Sequence, residues 1–471
     1  MADAPNYGLI GLGTMGAALA LNIAENGYPI AVYNRTAEVT DDFIRNAGDL
    51  ASRLTPTKSL EEFVQSMATP RTVILMVPAG PVVDQQIEAL RPLLSKDDLI
   101  IDAGNANFAD TQRRFAAAAD QPYDFMGIGV SGGEEGARHG PSIMAGGEPA
   151  QWDRVGEMLE AISAKYEGQP CAALMGKGGA GHFVKMVHNG IEYADMQMIA
   201  ECYSLMRDGL GFGTDQIAAT FENWNEGPLS SYLIEISGKV ARATDPISGG
   251  PMLDAIRDTA GQKGTGRWTA IEAQQLAVPV PVIEAAVVAR NLSSRFDARQ
   301  MGADVFGTMP QAISSDGIDT ATLEKALIAG KILCYAQGFE MLSKAASEYG
   351  WSLPMPTIAR IWREGCIIRS AMLNDMAKAL EEAPEGNLIF AEPFTTMLRE
   401  NEAALRDIVI AGFRAGIAVP ALAAGLSWFD TMRTRRTPAN MIQAQRDFFG
   451  AHGFERVDGK DAPHGPWGSK G

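Results

Sequence analysis

Cysteine is scarce in this chain, and its spacing is not that of a metal or disulfide framework. The 471 residues include four cysteines, Cys171, Cys202, Cys334 and Cys366, and none of them forms a Cys-x-x-Cys pair. A zinc site built on such pairs and a disulfide-stapled fold are therefore not indicated. We expect four buried, reduced thiols and no bound metal.

Positive charge and long apolar runs are also in short supply. The chain has 40 Lys and Arg against 57 Asp and Glu, a formal net charge of −17, which argues against a nucleic-acid or anionic-membrane surface. The apolar stretch Ile417–Leu426 is broken by Pro420, and Met1–Leu12 lacks a basic segment before an apolar core. We expect a cytoplasmic protein without nucleic-acid or membrane partners, so an anionic ligand needs a local basic pocket.

Short apolar segments alternate with helix-length segments over the first 178 residues. This alternation predicts a parallel, doubly wound sheet. The strand candidates are Tyr7–Ile10, Ile30–Tyr33, Val73–Val77, Leu99–Asp102 and Phe125–Val130.

Helical spacing dominates from about residue 180, which predicts a nearly all-helical second domain. Trp224–Gly227 is similar to Trp362–Gly365, and Tyr203–Met206 to Phe339–Leu342, at offsets of 138 and 136 residues. We interpret these matches as a weak sign of a duplicated helical unit, with coincidence as the alternative. The predicted domains are residues 1–178, 179–436 and a tail, 437–471. The longest helical candidates are Gly181–Leu210, Val282–Ser294, Leu323–Tyr349 and Asn401–Gly412.

A glycine-rich turn follows the first strand candidate. Gly11-Leu12-Gly13-Thr14-Met15-Gly16 precedes the helical segment Ala17–Asn26, which is the order of a dinucleotide-binding unit. In such a unit the first glycine makes the turn, the second lets a pyrophosphate approach, and the third allows helix and strand to touch. A purely structural glycine turn is the alternative.

The end of the second strand favours NADP over NAD. An NAD site places a carboxylate here to hold the ribose 2′-hydroxyl, whereas this chain has Asn34-Arg35-Thr36. Guanidinium binds phosphate in a fork geometry, and a carboxylate would repel it. The alternative is an ordinary surface arginine.

Four polar residues fall on one face of a predicted helix. Lys185, His188, Asn189 and Glu192 lie at relative positions 0, +3, +4 and +7, and Tyr193 flanks them. The mixture of one base, one acid, one imidazole and one amide favours a cleft over a solvated face. Gly190 beside them costs about 1 kcal/mol against Ala unless another group approaches closely. A solvated helix face is the open alternative.

Two further glycine-rich segments are candidates for anion binding. Ser131-Gly132-Gly133 follows a strand candidate, at the sheet edge where ligands bind, and its N–H groups can hold a carboxylate. Gly261–Arg267 is a basic loop whose amides, Lys263 and Thr265 can bind a phosphate. A plain turn and a flexible loop are the respective alternatives.

Together these segments resemble the decarboxylating 6-phosphogluconate dehydrogenases of the pentose phosphate pathway. The resemblance covers about 450 residues, from the first strand into the tail. It implies an N-terminal Rossmann domain, which is the doubly wound sheet, and a large all-helical, duplicated C-terminal domain with a short tail. The motifs that carry it are Gly181–Tyr193, Ser131–Arg138, Ala260–Gly266, Arg290 with Leu292–Ser294, and Gln445–His452.

The resemblance implies oxidation of 6-phosphogluconate at C3 by NADP, loss of C1 as carbon dioxide, and release of ribulose 5-phosphate. It implies Lys185 as general base and Glu192 as general acid, in a homodimer that uses no metal. The implied cofactor-binding residues are Gly11, Leu12, Gly13, Thr14, Met15, Gly16, Asn34, Arg35, Thr36, Val77, Pro78, Ala79 and Asn105. The implied substrate-binding residues are Asn105, Ser131, Gly132, Gly133, His188, Asn189, Tyr193, Lys263, Thr265 and Arg290, with Arg446 and His452 from the neighbouring subunit.

Three features depart from the usual pattern of that family. Pro78 stands where lysine is common, Ala103 where glycine is common, and the tail after His452 lacks the usual ending. Since Pro78 removes a possible phosphate contact and a backbone donor, we expect weaker NADP selectivity than Arg35 alone suggests. Two other functions stay open: a related β-hydroxyacid dehydrogenase acting on another substrate, and a non-catalytic NADP-binding protein.

Overall fold

An eight-stranded sheet and seven helices make up the first part of the chain. The structure, a computed structural model, describes residues 4–313, 317–383 and 386–467. The strands of the sheet are β1 (Tyr7–Ile10), β2 (Ile30–Tyr33), β3 (Leu54–Pro56), β4 (Thr72–Leu75), β5 (Asp98–Asp102), β6 (Tyr123–Val130), β7 (Ile143–Gly146) and β10 (Ala172–Gly176), while β8 (Lys165–Tyr166) pairs with β9 (Gln169–Pro170). The helices are α1 (Thr14–Glu25), α2 (Ala37–Asn46), α3 (Leu60–Gln65), α4 (Pro81–Leu90), α5 (Phe108–Ala118), α6 (Gly133–His139) and α7 (Pro149–Ile162).

The strand order is β10-β7-β6-β5-β4-β1-β2-β3, and all neighbours are parallel except β6 and β7. The predicted doubly wound sheet is confirmed, with one antiparallel pair that the alternation of strands and helices did not predict. It arises because the short helix α6 returns the chain directly alongside β6. The order reverses between β1 and β4, so a crevice opens at the carboxyl ends of these strands.

The five predicted strands are all present with small differences in their bounds. The candidate Val73–Val77 ends at Leu75, because the chain then turns beside the glycine loop, where the N–H of Met76 donates to the carbonyl of Ile10 at 2.8 Å. The predicted helix Ala17–Asn26 begins earlier, at Thr14, directly after the glycine turn. The apolar faces of the sheet are fully buried against the helices, as the continuous apolar strands require.

The second part of the chain is helical, as predicted. A turn of π-helix, Leu205–Gly209, extends the first of its helices, which accounts for the predicted length of that segment. The helices are α8 (Ala180–Ser204), α9 (Thr214–Trp224), α10 (Tyr232–Arg242), α11 (Met252–Ala255), α12 (Thr265–Gln275), α13 (Pro281–Ser293), α14 (Phe296–Phe306), α15 (Thr320–Tyr349), α16 (Met355–Ile361), α17 (Met372–Glu382), α18 (Phe394–Ala415), α19 (Pro420–Met432) and α20 (Ala439–Gly450).

The order of elements repeats within this helical part. The long helix α8 is followed by α9 and α10, and the long helix α15 by α16 and α17. Trp224 at the end of α9 and Trp362 just after α16 are both buried. Ser231 and Ser370, which precede the third helix of each set, pair with each other as an antiparallel bridge. These equivalences support the duplication over coincidence.

The two long helices also form an ion pair between equivalent positions. The offset of 136 residues that matches Tyr203 with Phe339 also matches Asp195 on α8 with Lys331 on α15. Lys331 Nζ donates to Asp195 Oδ2 at 2.8 Å, and both side chains are at most 2% exposed. The repeat therefore places an acid and a base opposite each other in the core.

A second pair of equivalent positions, Glu201 and Gln337, caps the starts of two helices. The carboxylate of Glu201 accepts from the N–H groups of Ala421 and Leu422 at 2.8 and 3.0 Å, at the start of α19. The Oε1 atom of Gln337 accepts from the N–H of Val282 at 3.1 Å, at the start of α13. Each long helix thus caps the start of a helix that follows the other long helix's set in the chain: α8 caps α19, and α15 caps α13.

The chain forms two compact units, residues 1–425 and 426–471. The predicted boundaries after residues 178 and 436 stay predictions. Among the described residues, no helix is both long enough and apolar enough to cross a membrane.

Candidate active site

Three glycines at the end of β1 are placed as a dinucleotide-binding turn requires. Gly11 has a φ of +101°, and a Cβ there would collide with the carbonyl of Met76. A Cβ at Gly16 would collide with the carbonyl of Gly11. Among the described residues, no atom lies within 4 Å of a Cβ built at Gly13, and no side chain caps the start of α1. A cofactor pyrophosphate fits this open side, against the positive end of the helix.

The second strand presents its polar end beside the same turn. Asn34 Oδ1 accepts from the N–H of Leu12 at 3.1 Å, so this amide braces the glycine loop. Arg35 is exposed, and Thr36 is the N-cap of α2 without a side-chain hydrogen bond to that helix. A guanidinium and a hydroxyl at a helix start match the chemistry of a ribose 2′-phosphate.

The loop after β4, which carries Val77, Pro78 and Ala79, is fixed from below by a buried arginine. Arg114 donates to the carbonyl of Gly80 at 2.9 Å, and it pairs with Asp84 at 2.8 Å and with Asp102 at 3.3 Å. Pro78 and Ala79 are exposed at the tip of the loop. The cofactor side of the crevice is therefore rigidly supported although Pro78 supplies no donor.

The polar stripe of α8 faces a cavity of about 650 Å³ and not bulk solvent. Lys185, Asn189 and Glu192 line this cavity with Asn105. His188 is fully buried and is not among the lining residues. The hypothesis that the stripe faces a cleft therefore holds for three of its four residues. His188 is instead buried behind the residues that line the cavity.

A chain of hydrogen bonds connects these residues. Lys185 Nζ donates to Ser131 Oγ at 2.8 Å, and Ser131 Oγ lies 3.3 Å from His188 Nε2. His188 Nδ1 lies 3.1 Å from Asn189 Oδ1, which can only accept. His188 Nδ1 also lies 3.4 Å from Lys185 Nζ, so the ring contacts Ser131, Asn189 and Lys185 at once. This arrangement orients Ser131 toward the lysine.

Burial shifts the pKa values of the central groups in the direction that favours the neutral form of each group. It lowers the pKa of the Lys185 amine, while the nearby carboxylate of Glu192 opposes that shift. It raises the pKa of Glu192, against the opposing effects of Lys185 and Arg290. The pKa of His188 is well below its usual value, because of burial and then because of Lys185. Burial therefore favours the neutral forms of an amine and a carboxyl group that line one cavity.

One end of the cavity is basic. Lys263 and Arg290 line it together with Thr265, the first residue of α12. The Arg290 guanidinium stacks on the ring of Tyr193, 3.6 Å from the ring centre. A Cβ at Gly266 would collide with the same ring. Tyr193 therefore contacts both α12 and Arg290, and a phosphate can meet these donors together.

At the other end, Ser131, Gly132 and Gly133 line the cavity where β6 meets α6. Gly132 and Gly133 have φ values of +96° and +65°, and a Cβ at Gly132 would lie 2.6 Å from the carbonyl oxygen of Gly365. This left-handed turn requires glycine. Its N–H groups suit a carboxylate.

Several residues of the site escaped the sequence analysis. Val130, Gly261, Gln262 and Ile367 also line the cavity. Gly261 and Gln262 lie in the predicted basic loop, so that motif could have identified them as site residues. Ile367 lies two residues after the repeat motif Trp362–Gly365, but that motif carries no binding signal, so no local pattern identifies Ile367 as a site residue.

Arg446 and His452 lie in the second compact unit. Arg446 is exposed on α20 and donates to Gln443 Oε1 at 3.0 Å, and the ring of His452 stacks edge-on against Phe449. Asp447 between them accepts from the N–H groups of Gly453 and Gly465. The tail is therefore folded on its own helix. Among the described residues, no three potential metal ligands are grouped together.

Comparisons with known families cover nearly the whole chain. Residues 6–176 match the NAD binding domain of 6-phosphogluconate dehydrogenase, and residues 181–467 match its C-terminal domain. The second match continues to residue 467, so it includes the segment after His452. That this segment lacks the family's usual ending stays a prediction.

Individual relatives are similar over their full lengths. A decarboxylating 6-phosphogluconate dehydrogenase of Lactococcus lactis is 46% identical, with 98% of each chain covered. In Bacillus subtilis, an NADP-dependent and an NAD-dependent enzyme of this name are each 44% identical, over 98% of this chain. The solved 6-phosphogluconate dehydrogenase of Plasmodium falciparum, studied with NADP and 6-phosphogluconate, has a TM-score of 0.94 at 38% identity, covering 98% of this chain and all of its own.

Proposed function

Because this chain belongs to the 6-phosphogluconate dehydrogenase family, we propose that it converts 6-phosphogluconate to ribulose 5-phosphate and carbon dioxide while reducing NADP. The observation that carries the proposal is the single cavity whose lining brings Lys185 and Glu192 together with a glycine nest and basic side chains. These features match the base, acid, carboxylate and phosphate that this reaction involves. The names of the full-length relatives support this function over another hydroxyacid substrate or a non-catalytic role.

The cavity orients a sugar acid in one direction. The phosphate meets Lys263, Thr265 and Arg290, and the carboxylate end meets Ser131 and the glycine nest. A cluster of cations in this pocket explains how a chain of net charge −17 binds a multiply charged anion. The C3 hydroxyl then falls within reach of Lys185.

Lys185 acts first as a base. In its neutral form, which burial favours, the amine accepts the proton of the C3 hydroxyl as the C3–H bond breaks. NADP⁺, when bound, supplies the acceptor for the hydride that leaves C3. The product is a β-keto acid, and protonated Lys185 stabilises negative charge on its C3 oxygen.

Glu192 completes the reaction as an acid. The bond between C1 and C2 breaks, carbon dioxide leaves, and the electron pair is shared between C2 and the C3 oxygen as an enediolate, whose charge protonated Lys185 stabilises. The carbon that lost carbon dioxide then takes a proton from Glu192, whose raised pKa keeps its proton available. Ribulose 5-phosphate is released.

The choice of NADP rests on the end of β2. The Bacillus subtilis relatives of equal identity carry both cofactor names, so overall similarity does not decide between them. Arg35 is exposed, and the hydroxyl of Thr36 makes no capping hydrogen bond to α2, so both side chains can donate to a 2′-phosphate. The glycine turn after β1 leaves room for the pyrophosphate. The pyrophosphate is common to NAD and NADP, so the two donors at the end of β2 are the feature that favours NADP.

The direct test is a reduction assay on purified protein with 6-phosphogluconate, run with NADP and NAD side by side while released carbon dioxide is trapped. Equal amounts of reduced cofactor and carbon dioxide are expected, and gluconate without the phosphate should react poorly. Lys185→Ala should bind cofactor yet lose both products, and Glu192→Gln should slow the protonation step most. Normal turnover by Lys185→Ala, or no product from the unaltered protein, contradicts the proposal.

We also infer a cytoplasmic homodimer with shared sites, in which Arg446 and His452 act on the neighbouring subunit. Four buried, unpaired cysteines suit a reducing compartment. The shared site is tested by mixing inactive Lys185→Ala and Arg446→Ala proteins after dissociation. If Arg446 acts in the partner, random reassociation restores about a quarter of normal activity; if it acts in its own subunit, none returns.

A further inference from the structure

A buried histidine outside the cavity connects the catalytic helix to the turn that carries Asn105. His182 lies on α8, one helical turn before Lys185, and is 1% exposed. Its Nε2 lies 3.0 Å from the carbonyl oxygen of Gly104, and its Nδ1 lies 2.8 Å from Thr111 Oγ1 on α5. The ring therefore bridges the end of β5, α5 and α8.

The partners of the ring fix its protonation. A carbonyl oxygen only accepts, so Nε2 carries the proton and donates to Gly104, and Nδ1 accepts from the hydroxyl of Thr111. Burial lowers the pKa of His182, which keeps the ring in this neutral form. A neutral ring with one donor and one acceptor satisfies both neighbours.

The turn that receives this bond is held on both sides. The N–H of Gly104 donates to Asp102 Oδ1 at 3.1 Å, while its carbonyl accepts from His182. A Cβ at Gly104 would lie 3.1 Å from both Asp102 Oδ1 and the carbonyl oxygen of Val77. Asn105, the next residue, is exposed and lines the same cavity as Lys185. The Gly104 peptide thus determines where Asn105 stands.

We propose that His182 is a positioning residue: its Nε2–H bond to Gly104 sets the placement of Asn105 relative to Lys185. The proposal rests on the proposed function, since Asn105 is taken to contact the substrate and cofactor. Asn105 lies in the turn that follows β5, and Lys185 lies on α8. His182 joins these two elements through a single side chain next to the chemistry, and small displacements there reduce rates steeply.

Two substitutions of similar polarity separate positioning from simple packing. In His182→Gln the side-chain amide reaches the place of Nε2 and can still donate to Gly104. In His182→Asn the shorter amide reaches only the place of Nδ1, near Thr111, and the bond to Gly104 is lost. We expect kcat to fall about 10- to 100-fold for His182→Asn and to stay within a few-fold of normal for His182→Gln.

A third variant controls for general damage at the ring. Thr111→Val removes the hydroxyl that donates to Nδ1 and leaves the bond to Gly104 in place. It should lower the unfolding temperature while kcat stays near normal. If kcat instead falls equally in His182→Gln and His182→Asn, in step with unfolding temperature, or falls in neither, the positioning role is wrong.

A second measurement does not depend on turnover. Hydrogen exchange of the peptide that contains Gly104 and Asn105 should quicken in His182→Asn and stay slow in His182→Gln. Equal exchange in all variants overturns the proposal. Failure of the unaltered protein to oxidise 6-phosphogluconate would instead overturn the proposed function, and the exchange result would still decide whether His182 holds the turn.

Discussion

Gly190 offers a sharp test of the packing that supports the catalytic helix. A Cβ at this position would lie 2.6 Å from Thr269 Cγ2 and 2.9 Å from both Thr269 Cβ and Oγ1. Thr269 on α12 is fully buried, and its hydroxyl donates to the carbonyl of Met186 at 2.7 Å. Gly190→Ala must therefore push α12 away from α8 or break this bond.

The expected size of the effect follows from opposing contributions. Overpacking a buried site costs about 1 to 3 kcal/mol, and a lost hydrogen bond adds about 1 kcal/mol. Replacing glycine by alanine inside a helix returns about 1 kcal/mol. We expect a net loss of about 2 kcal/mol in the free energy of unfolding, together with a higher KM for 6-phosphogluconate, because α12 begins at Thr265.

Urea unfolding with two matched variants measures this. Gly302 lies inside α14, and among the described residues no atom is within 4 Å of its Cβ position, so Gly302→Ala should stabilise the protein by about 0.5 to 1 kcal/mol. Thr269→Ser removes Cγ2 and keeps the hydroxyl, so it should recover part of the loss in the Gly190→Ala background. The reasoning is refuted if Gly190→Ala and Gly302→Ala shift stability equally in the same direction.

Three further predictions concern Glu201, Arg35 and the Asp195–Lys331 pair. Burial raises the pKa of Glu201 from 4.5 to about 7, so the folded state retains a proton that the unfolded state releases, and stability should fall by about 3 kcal/mol as pH rises across that interval. Glu201→Gln should flatten this part of the pH profile in urea unfolding; an unchanged profile contradicts the assignment. Arg35→Ala should raise KM for NADP about 10-fold or more and spare NAD, whereas equal effects in steady-state assays would mean that Arg35 does not contact the 2′-phosphate. Asp195→Leu alone should cost about 3 to 5 kcal/mol, and adding Lys331→Met should recover much of it; additive losses in a double-mutant cycle would show that the pair is not coupled.

Local patterns predicted the parts of the fold that local patterns control. Continuous apolar segments identified the central strands because these are buried on both faces. The short strands β3, β7 and β10 were missed: β3 has only three residues, and segments such as Ile143–Gly146 contain small residues and resemble turns. The antiparallel pairing of β6 and β7 depends on the chain's return after α6, which periodicity does not encode.

The residues of the site likewise fall into those that local sequence patterns predicted and those that such patterns missed. The helical spacing of Lys185, Asn189 and Glu192 predicted a shared face, and Gly190 predicted a close approach, which Thr269 supplies. The positions of His182 and Ile367 depend on contacts with segments far away in sequence. Only the folded chain reveals them.

The pair of Asp195 and Lys331 makes the two helical units depend on each other. In a dimer of identical single units, a position that meets its own copy across the symmetry axis presents the same residue twice. An acid that faces a base at equivalent positions therefore requires two units that differ in sequence. The two units are not interchangeable: two copies of the first would bury Asp against Asp, and two copies of the second would bury Lys against Lys. The buried ion pair thus selects the pairing of unlike units over either pairing of like units.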